Sequence, residues 1–275
     1  MIFVTVKGTK LPALGFGTWQ LNGAQCESAV EYALELGYRH VDTAQAYGNE
    51  REVGRAIARS GVKRDAIFLT TKLAPGNLAA KDVTRSLAGS LEALDTDHVD
   101  LLLIHWPSTT VPMGETLRAM GEAKAQGRVR HIGVSNFTVA HMREAIETHK
   151  AEIFCNQIEY HVLLGQNRVL DFARARGIMV TAYCPLARGR IGGQPELVAT
   201  AKRHGKSAAQ VALRWLIQQD GVAAIPKSSK REHIAANFAL FDFALSESEM
   251  VEIGKLRGDA RVVSPGFAPE WDAAG

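Results

Sequence analysis

The feature that most constrains the fold is a unit that recurs along the chain, in which a helical pattern ends and a short apolar segment follows. In the first unit, Val30, Ala33 and Leu34 recur at helical spacing, and Gly37 is placed to end the helix. We predict that the apolar segment after each such helix is a strand. These segments cover residues 39–42, 67–71, 99–105, 129–134, 153–158, 178–183 and 222–225, and a weaker first strand lies near 14–17.

These segments are runs of apolar residues rather than alternations of apolar and polar ones. Residues 101–104, for example, are all leucine or isoleucine. Strands that are buried on both faces, as in a parallel sheet, have this pattern. Eight such units in 275 residues predict a closed (β/α)8 barrel, or TIM barrel, in a single domain over residues 1–275. A doubly wound nucleotide-binding fold is the alternative, but its G-x-G-x-x-G fingerprint fails because Gln20 stands where the third glycine belongs.

Three segments fall outside the eightfold pattern. Residues 3–10 predict a short N-terminal hairpin that covers the floor of the barrel. Residues 196–219 hold two helical patterns where a barrel needs one. Ser246 and Glu249 have the spacing of a capping box at the start of a helix. The count therefore predicts one extra helix near the C-terminus.

Charge and composition argue against several classes of partner. The net charge is +3 with no basic run, so we expect no binding to nucleic acid. No apolar run approaches ~18 residues and no signal-peptide pattern opens the chain, so we expect a cytoplasmic protein without membrane association. The three cysteines are widely spaced and form no CxxC motif, which argues against disulfides and structural zinc. No marker of an interface is evident, and we expect a monomer.

Polar or aromatic residues stand at the C-terminal end of each predicted strand, where the active site of a barrel collects. Asp42, Tyr47, Lys72 and His105 follow three successive strands and form a chemically coherent set. A lysine ammonium lowers the pKa of a nearby tyrosine, an aspartate keeps the lysine charged, and a neutral histidine can orient a substrate carbonyl. We therefore predict that Tyr47 is a general acid for a carbonyl oxygen, and that a cofactor delivers hydride to the carbon.

Further strand ends carry groups that suit a nicotinamide ring and its phosphates. Tyr183 is placed to stack on the ring. Lys227 and Ser228 follow the last strand, in the region where barrels often bind phosphate. The side chains expected to hydrogen-bond the carboxamide are Ser135, Asn136 and Gln157.

Two alternatives compete for the same residues. In a metal-dependent hydrolase barrel, His40, Asp42 and His105 would be ligands. Lys72 would then stand beside a cation and Tyr47 would have no role, so we expect no metal. A non-catalytic subunit that only binds a nicotinamide cofactor is the second alternative, and the intact set of four residues argues against it.

Six short motifs are distributed along nearly the whole chain: GYRHVDTA at 37–44, YGNE at 47–50, LIHWP at 103–107, GVSNF at 133–137, NQIEY at 156–160 and IPKS at 225–228. In these motifs and in their order the sequence resembles the aldo-keto reductases. The residues from 263 to 272 resemble the branch of bacterial 2,5-diketogluconate and methylglyoxal reductases.

The resemblance implies NADPH-dependent reduction of small aldehydes and ketones, of the methylglyoxal or diketo-sugar-acid type, by the four residues derived above. It implies an extended cofactor without a Rossmann domain, and short loops after the fourth and seventh strands predict an open pocket. The residues on the substrate side would be Trp19, Tyr47, His105 and Trp106. The residues in contact with the cofactor would be Gly17, Thr18, Trp19, Asp42, Ser135, Asn136, Gln157, Tyr183, Leu186, Arg188, Lys227, Ser228, Ser229, Lys230, His233 and Asn237.

The sequence departs from the family pattern on the adenosine side of that cofactor. His233 stands where the family usually has an arginine that clamps the 2′-phosphate, and Ala236 stands where a glutamate is common. Lys230 or Arg231 can supply the missing charge. Because histidine provides at best half of such a clamp, we expect a weaker preference for NADPH over NADH than is usual, with NADH as the less preferred cofactor.

Overall fold

The computed structural model describes residues 1–273, and it begins with an antiparallel hairpin of β1 (Phe3–Val6) and β2 (Thr9–Pro12). The hairpin contacts the starts of two barrel strands. Thr9 Oγ1 lies 3.1 Å from His131 Nε2, and the His40 ring lies 3.3 Å from the Pro12 carbonyl oxygen. The hairpin therefore covers the N-terminal end of the barrel, as predicted.

Eight parallel strands follow in one sheet, and their order in the sheet is their order in the chain. The sheet closes because Leu14 forms a parallel bridge with Ala224 and the Gly17 N–H donates to the Pro226 carbonyl at 3.0 Å. The predicted (β/α)8 barrel is confirmed, with the ends of every strand within two residues of their predicted positions. The strands are β3 (Phe16–Gly17), β4 (His40–Asp42), β5 (Phe68–Leu73), β6 (Val99–Ile104), β7 (Val129–Ser135), β8 (Ile153–Glu159), β9 (Met179–Tyr183) and β10 (Val222–Ala224).

Helices surround the sheet and bury its outer face. Gly37 ends the first helix in the left-handed conformation, with φ +111°, and Ser246 caps the last one through its predicted capping box with Glu249. None of the helices in residues 1–273 is long and apolar enough to span a membrane. The helices are α1 (Gly23–Leu36), α2 (Glu50–Arg59), α3 (Ala80–Ala93), α4 (Met113–Ala125), α5 (Val139–Arg143, prolonged by a π-turn to Thr148), α6 (Asn167–Arg174), α7 (Pro195–His204), α8 (Ala208–Ile217), α9 (Arg231–Phe238) and α10 (Glu247–Gly254).

The described residues contain ten helices, two more than the eight that a (β/α)8 barrel needs, whereas one extra helix was predicted. The two extra helices are α7 and α10. We count α7 as extra because α8, and not α7, packs on β10. The count from sequence was one short because α9 buries only Ile234 and Asn237 and so has a weak helical pattern.

The strands are buried on both faces. Every residue of β5, β6 and β8 is buried, which confirms the interpretation of their apolar runs as parallel strands. β7 lies close to β8 at Gly133, where an added Cβ would lie 2.7 Å from the Cys155 carbonyl oxygen. In barrels of this type the interior is a packed core and ligands bind at the C-terminal ends of the strands.

Candidate active site

The four residues predicted to form the reaction centre meet at the C-terminal end of the barrel. Asp42 is the last residue of β4, and Tyr47 ends a short 3-10 turn that follows it. Lys72 is the penultimate residue of β5, and His105 directly follows β6. Three adjacent strands thus deliver all four side chains to one place.

The Lys72 ammonium is the centre of this group and is fully buried. Its Nζ donates to Asp42 Oδ1 at 2.5 Å, to the Thr43 carbonyl at 2.8 Å and to the Tyr47 hydroxyl at 3.3 Å. Burial alone would lower the pKa of Lys72, but the negative charge of Asp42 and the hydrogen bonds outweigh it, and the pKa is raised. Lys72 is therefore a fixed positive charge aimed at the Tyr47 hydroxyl.

The pKa of Tyr47 departs from the expectation. Burial raises this pKa above its ordinary value of 10, the Lys72 charge acts to lower it, and the Asp42 charge acts to raise it. Burial has the larger effect, so the net shift is upward and the predicted lowering is wrong for the free protein. Tyr47 consequently remains a protonated phenol at neutral pH, which is the form that can donate a proton.

His105 is held uncharged beside Tyr47. The two rings are 5.6 Å apart, edge to face. Burial and the Lys72 charge lower the pKa of His105 to about 3. Its Nδ1 is buried and has no hydrogen-bond partner among the residues described. At neutral pH the ring is therefore a neutral hydrogen-bonding group.

Asn136 links three of the predicted groups around the mouth. Its backbone is left-handed, with φ +62°, and its Nδ2 donates to the His105 carbonyl at 2.9 Å and to Ser135 Oγ at 3.1 Å. Its Oδ1 accepts a 2.7 Å hydrogen bond from the Tyr183 hydroxyl. The Tyr183 ring is thereby held in a defined orientation at the cavity.

Gln157 is joined directly to Asp42, one of the four residues predicted to form the reaction centre. Its Nε2 donates to Asp42 Oδ2 at 2.6 Å, so both oxygens of that carboxylate are engaged. Ser135 Oγ donates to the backbone carbonyl of Gln157 at 2.8 Å. The bond to Asp42 holds the side-chain amide of Gln157 at the cavity, which this residue lines.

A cavity of about 640 Å³ opens above these side chains. Its lining contains Trp19 and Trp106, and also Arg188, whose guanidinium lies 5.2 Å from the Trp19 ring. The predicted residues that line it are Gly17, Thr18, Trp19, Asp42, Tyr47, His105, Trp106, Ser135, Asn136, Gln157, Tyr183, Leu186, Arg188 and Lys227. The lining residues that were not predicted are Gln20, Ala46, Cys184, Pro185, Ile225, Pro226 and Val263.

Most of the residues that were missed are chain neighbours of predicted ones, so widening each strand end by a few positions would have found them. Val263 is different, because it comes from the segment after α10 and follows no strand. No periodic pattern or motif in the sequence indicates that it reaches the cavity.

The residues expected on the adenosine side lie outside this cavity. Ser229, Lys230 and His233 are exposed on the loop after β10 and on α9. Ser228 is half-buried in the same loop and Asn237 is buried in α9. Arg231 points towards α1, where it stacks at 4.0 Å on Tyr32 and pairs with Glu35 at 3.6 Å.

The side chains that the metal alternative requires as ligands, His40, Asp42 and His105, do not form a metal-binding group. Residues 1–273 contain no group of three His, Cys, Asp or Glu side chains arranged to hold an ion. Asp42 is engaged by Lys72 and Gln157, while His40 contacts the hairpin at the opposite end of β4.

Residues 13–257 match the Aldo/keto reductase family, and the chain belongs to that family. It is an oxidoreductase of the class that acts on carbonyl compounds with nicotinamide cofactors. The methylglyoxal reductase DkgB of Yersinia pestis is 43% identical over 266 residues, which cover 95% of this chain and 99% of the relative. An aldo-keto reductase of Mycolicibacterium smegmatis is 42% identical over 259 residues, 93% of each chain.

Solved structures agree with this assignment. The crystal structure of a 2,5-diketo-D-gluconic acid reductase B is 48% identical and superposes with a TM-score of 0.96, covering 99% of this chain and 98% of that one. The aldose reductase of Schistosoma japonicum is 32% identical, with a TM-score of 0.92 and coverage of 96% and 95%.

Proposed function

We propose that this protein reduces small aldehydes and ketones with NADPH and that Tyr47 supplies the proton. The observation that carries the proposal is the position of Lys72, whose buried ammonium hydrogen-bonds both Asp42 and the Tyr47 hydroxyl at the base of a cavity. A volume of about 640 Å³ falls within the usual range for sites that hold a cofactor and a small substrate.

The proton transfer follows from the charges around Tyr47. When bound, the nicotinamide supplies a hydride to the carbonyl carbon. The oxygen of that carbonyl gains negative charge and takes the proton of the Tyr47 hydroxyl. The phenolate left behind is stabilised by Lys72, 3.3 Å away, and Asp42 keeps Lys72 charged and in place.

His105 suits the task of orienting the substrate. With its pKa lowered to about 3, it is neutral at working pH and does not compete with Tyr47 as a charged acid. A neutral ring can still donate one hydrogen bond. Its edge-to-face contact with Tyr47, with ring centroids 5.6 Å apart, supports a role in binding the same carbonyl oxygen.

The residues of the cavity fit a nicotinamide dinucleotide. Tyr183 offers an aromatic face, and its hydroxyl is held by Asn136. The side-chain oxygens of Asn136 and Gln157 offer acceptors for the NH₂ group of a carboxamide. Arg188 and Lys227 are the cationic side chains that line the cavity, and they suit the phosphates.

The choice between NADPH and NADH depends on the exposed residues beyond the cavity. Lys230 and His233 are exposed there, whereas Arg231 is engaged with Tyr32 and Glu35. One lysine and one histidine form a weaker clamp for a 2′-phosphate than an arginine does. We therefore expect NADPH to be preferred by a modest margin.

A three-carbon dicarbonyl of the methylglyoxal type, or a diketo-sugar acid, is the proposed substrate class. The relatives named for these substrates are 43% and 48% identical over almost the whole chain.

The test is consumption of NADPH against methylglyoxal by the wild-type protein and by Tyr47→Phe. We expect Tyr47→Phe to lower kcat by about 10²–10⁴-fold while the Kd for NADPH stays within about twofold, since only the proton donor is lost. Tyr160→Phe is the matched control, because its hydroxyl bonds Gln219 away from the cavity. Turnover by Tyr47→Phe within tenfold of the wild type would refute the acid role. Tight cofactor binding by the wild type without turnover would favour the regulatory-subunit alternative.

A further inference from the structure

The chain after α10 crosses the mouth of the barrel, and we call residues 261–273 the tail. The tail lies beyond the residues that match the family, which end at 257. Val263 lines the cavity, and Trp106 packs against Phe267 at 5.4 Å and against Trp271 at 6.1 Å. The tail thus supplies part of the cavity wall on the side of Trp106.

The start of the tail is bound by Glu159, the last residue of β8. This carboxylate is fully buried. Its Oε1 accepts from the Val262 N–H at 2.6 Å, and its Oε2 accepts from the Val263 N–H at 2.8 Å. A buried carboxylate is costly unless its oxygens are hydrogen-bonded, so these two backbone groups are held firmly.

His161 completes the surroundings of this carboxylate. Its Nδ1 accepts from the Leu163 N–H at 3.3 Å, which leaves Nε2 as the donor that bonds Glu159 Oε1 at 3.0 Å. Arg261 adds a positive charge, with Nη1 4.0 Å from Glu159 Oε2. The mechanism proposed above uses none of these groups.

The far end of the tail is attached separately. Asp272 Oδ2 accepts from the Val139 N–H, at the first turn of α5, at 2.8 Å. The Arg261 guanidinium stacks on Trp271 at 3.9 Å and so joins the two attachments. Between them, Phe267 is 61% exposed and rests on Trp106.

From these contacts we infer that Glu159 is a positioning residue for substrate discrimination, which sets the tail so that Val263, Phe267 and Trp271 form a wall beside Trp106. The inference rests on the proposed carbonyl reductase function. A three-carbon carbonyl has little apolar surface to bury against this wall, so we expect its binding to depend on the wall only weakly. An aromatic aldehyde extends to it and gains binding from the apolar and aromatic surface.

Glu159→Gln tests this inference with little change of shape. The amide replaces one acceptor oxygen by an NH₂ group that faces a backbone N–H, so one of the two bonds to the tail is lost. Glu152→Gln is the matched control, since Glu152 pairs with Lys124 on the outside of the barrel.

We would measure kcat and KM with methylglyoxal and with 4-nitrobenzaldehyde, together with the Kd for NADPH. In Glu159→Gln we expect KM for 4-nitrobenzaldehyde to rise about tenfold, with kcat/KM for methylglyoxal and the Kd within about twofold. Equal changes for the two aldehydes, or no change for either, would overturn the inference. Glu152→Gln should match the wild type.

A second variant covers the case in which Glu159→Gln does not fold. Phe267→Ala in the full chain removes an exposed side chain of the wall, and it should show the same loss for 4-nitrobenzaldehyde alone. Undiminished discrimination between the two aldehydes by this variant would refute the role of the tail.

Hydrogen exchange separates failure of this inference from failure of the proposed function. The Val262 and Val263 amides should both exchange slowly in the wild type. In Glu159→Gln, the amide that faces the introduced NH₂ group should exchange at least about tenfold faster, whether or not any carbonyl is reduced. Fast exchange of both amides in the wild type would refute the anchoring by Glu159.

Discussion

Removal of one partner of the Lys72–Asp42 pair should destabilise the folded protein strongly. Both side chains are essentially inaccessible, and the Nζ to Oδ1 distance is 2.5 Å. Asp42→Asn leaves the Lys72 charge buried without its counter-charge, and Lys72→Met leaves the Asp42 carboxylate with only the Gln157 amide. Breaking a buried pair in this way costs about 3–5 kcal/mol for each single variant.

The double variant Asp42→Asn/Lys72→Met should recover most of this loss. No uncompensated charge remains in it, and the amide oxygen introduced by Asp42→Asn can still accept from Gln157. We expect the double variant to cost about 1–2 kcal/mol, so the coupling energy of the pair would be at least ~4 kcal/mol. Reduction of methylglyoxal should be abolished in all three variants. Asp42→Asn lacks the carboxylate that keeps Lys72 charged and in place, and the other two variants lack Lys72 itself.

Equilibrium urea unfolding at pH 7, followed by the fluorescence of the four tryptophans, measures the cycle. Additive single effects, with the double variant losing about 6–10 kcal/mol, would refute the reasoning that the pair stabilises chiefly by mutual neutralisation. Recovery of activity in the double variant would refute the proposed role of Lys72.

Two further predictions concern single histidines. Folding lowers the pKa of His105 from 6.5 to about 3. Between pH 6.5 and about pH 3, the unfolded chain therefore binds a proton at His105 that the folded chain does not bind. His105 therefore lowers the free energy of unfolding by roughly 2 kcal/mol as the pH falls from 7 to 5. In urea unfolding, His105→Gln should lose roughly 2 kcal/mol less than the wild type over this pH range. An equal loss in the two proteins would contradict the burial argument. His233→Arg should raise the ratio of kcat/KM for NADPH to kcat/KM for NADH roughly tenfold, because it adds a charge-assisted hydrogen bond to the 2′-phosphate. The value for NADH is the internal control. An unchanged ratio would show that the 2′-phosphate does not bind at residue 233.

The local pattern of the sequence was sufficient to predict the eight strands and the side chains that follow them. Apolar runs such as residues 101–104 encode burial on both faces, and the end of each run places a polar residue at the mouth. Asp42, Lys72 and His105 could be grouped before any coordinates because strand ends of a parallel barrel must converge.

The local pattern indicated the weaker elements only partly or not at all, because they depend on packing between distant parts of the chain. The first strand is only Phe16–Gly17, and it completes the barrel through the bridge between Leu14 and Ala224, which are far apart in the chain. The helix α9 buries two residues and was not counted from its pattern.

The balance of energies at the site was likewise decided by the tertiary structure. The residue types correctly indicated that Lys72 would act to lower the pKa of Tyr47, but burial outweighs that effect, and burial depends on every element that surrounds the ring. The contact between Glu159 and Val263 joins residues that are distant in the chain. Periodicity records which face of an element is buried, whereas the degree of burial and the pairing of distant groups exist only once the chain has folded.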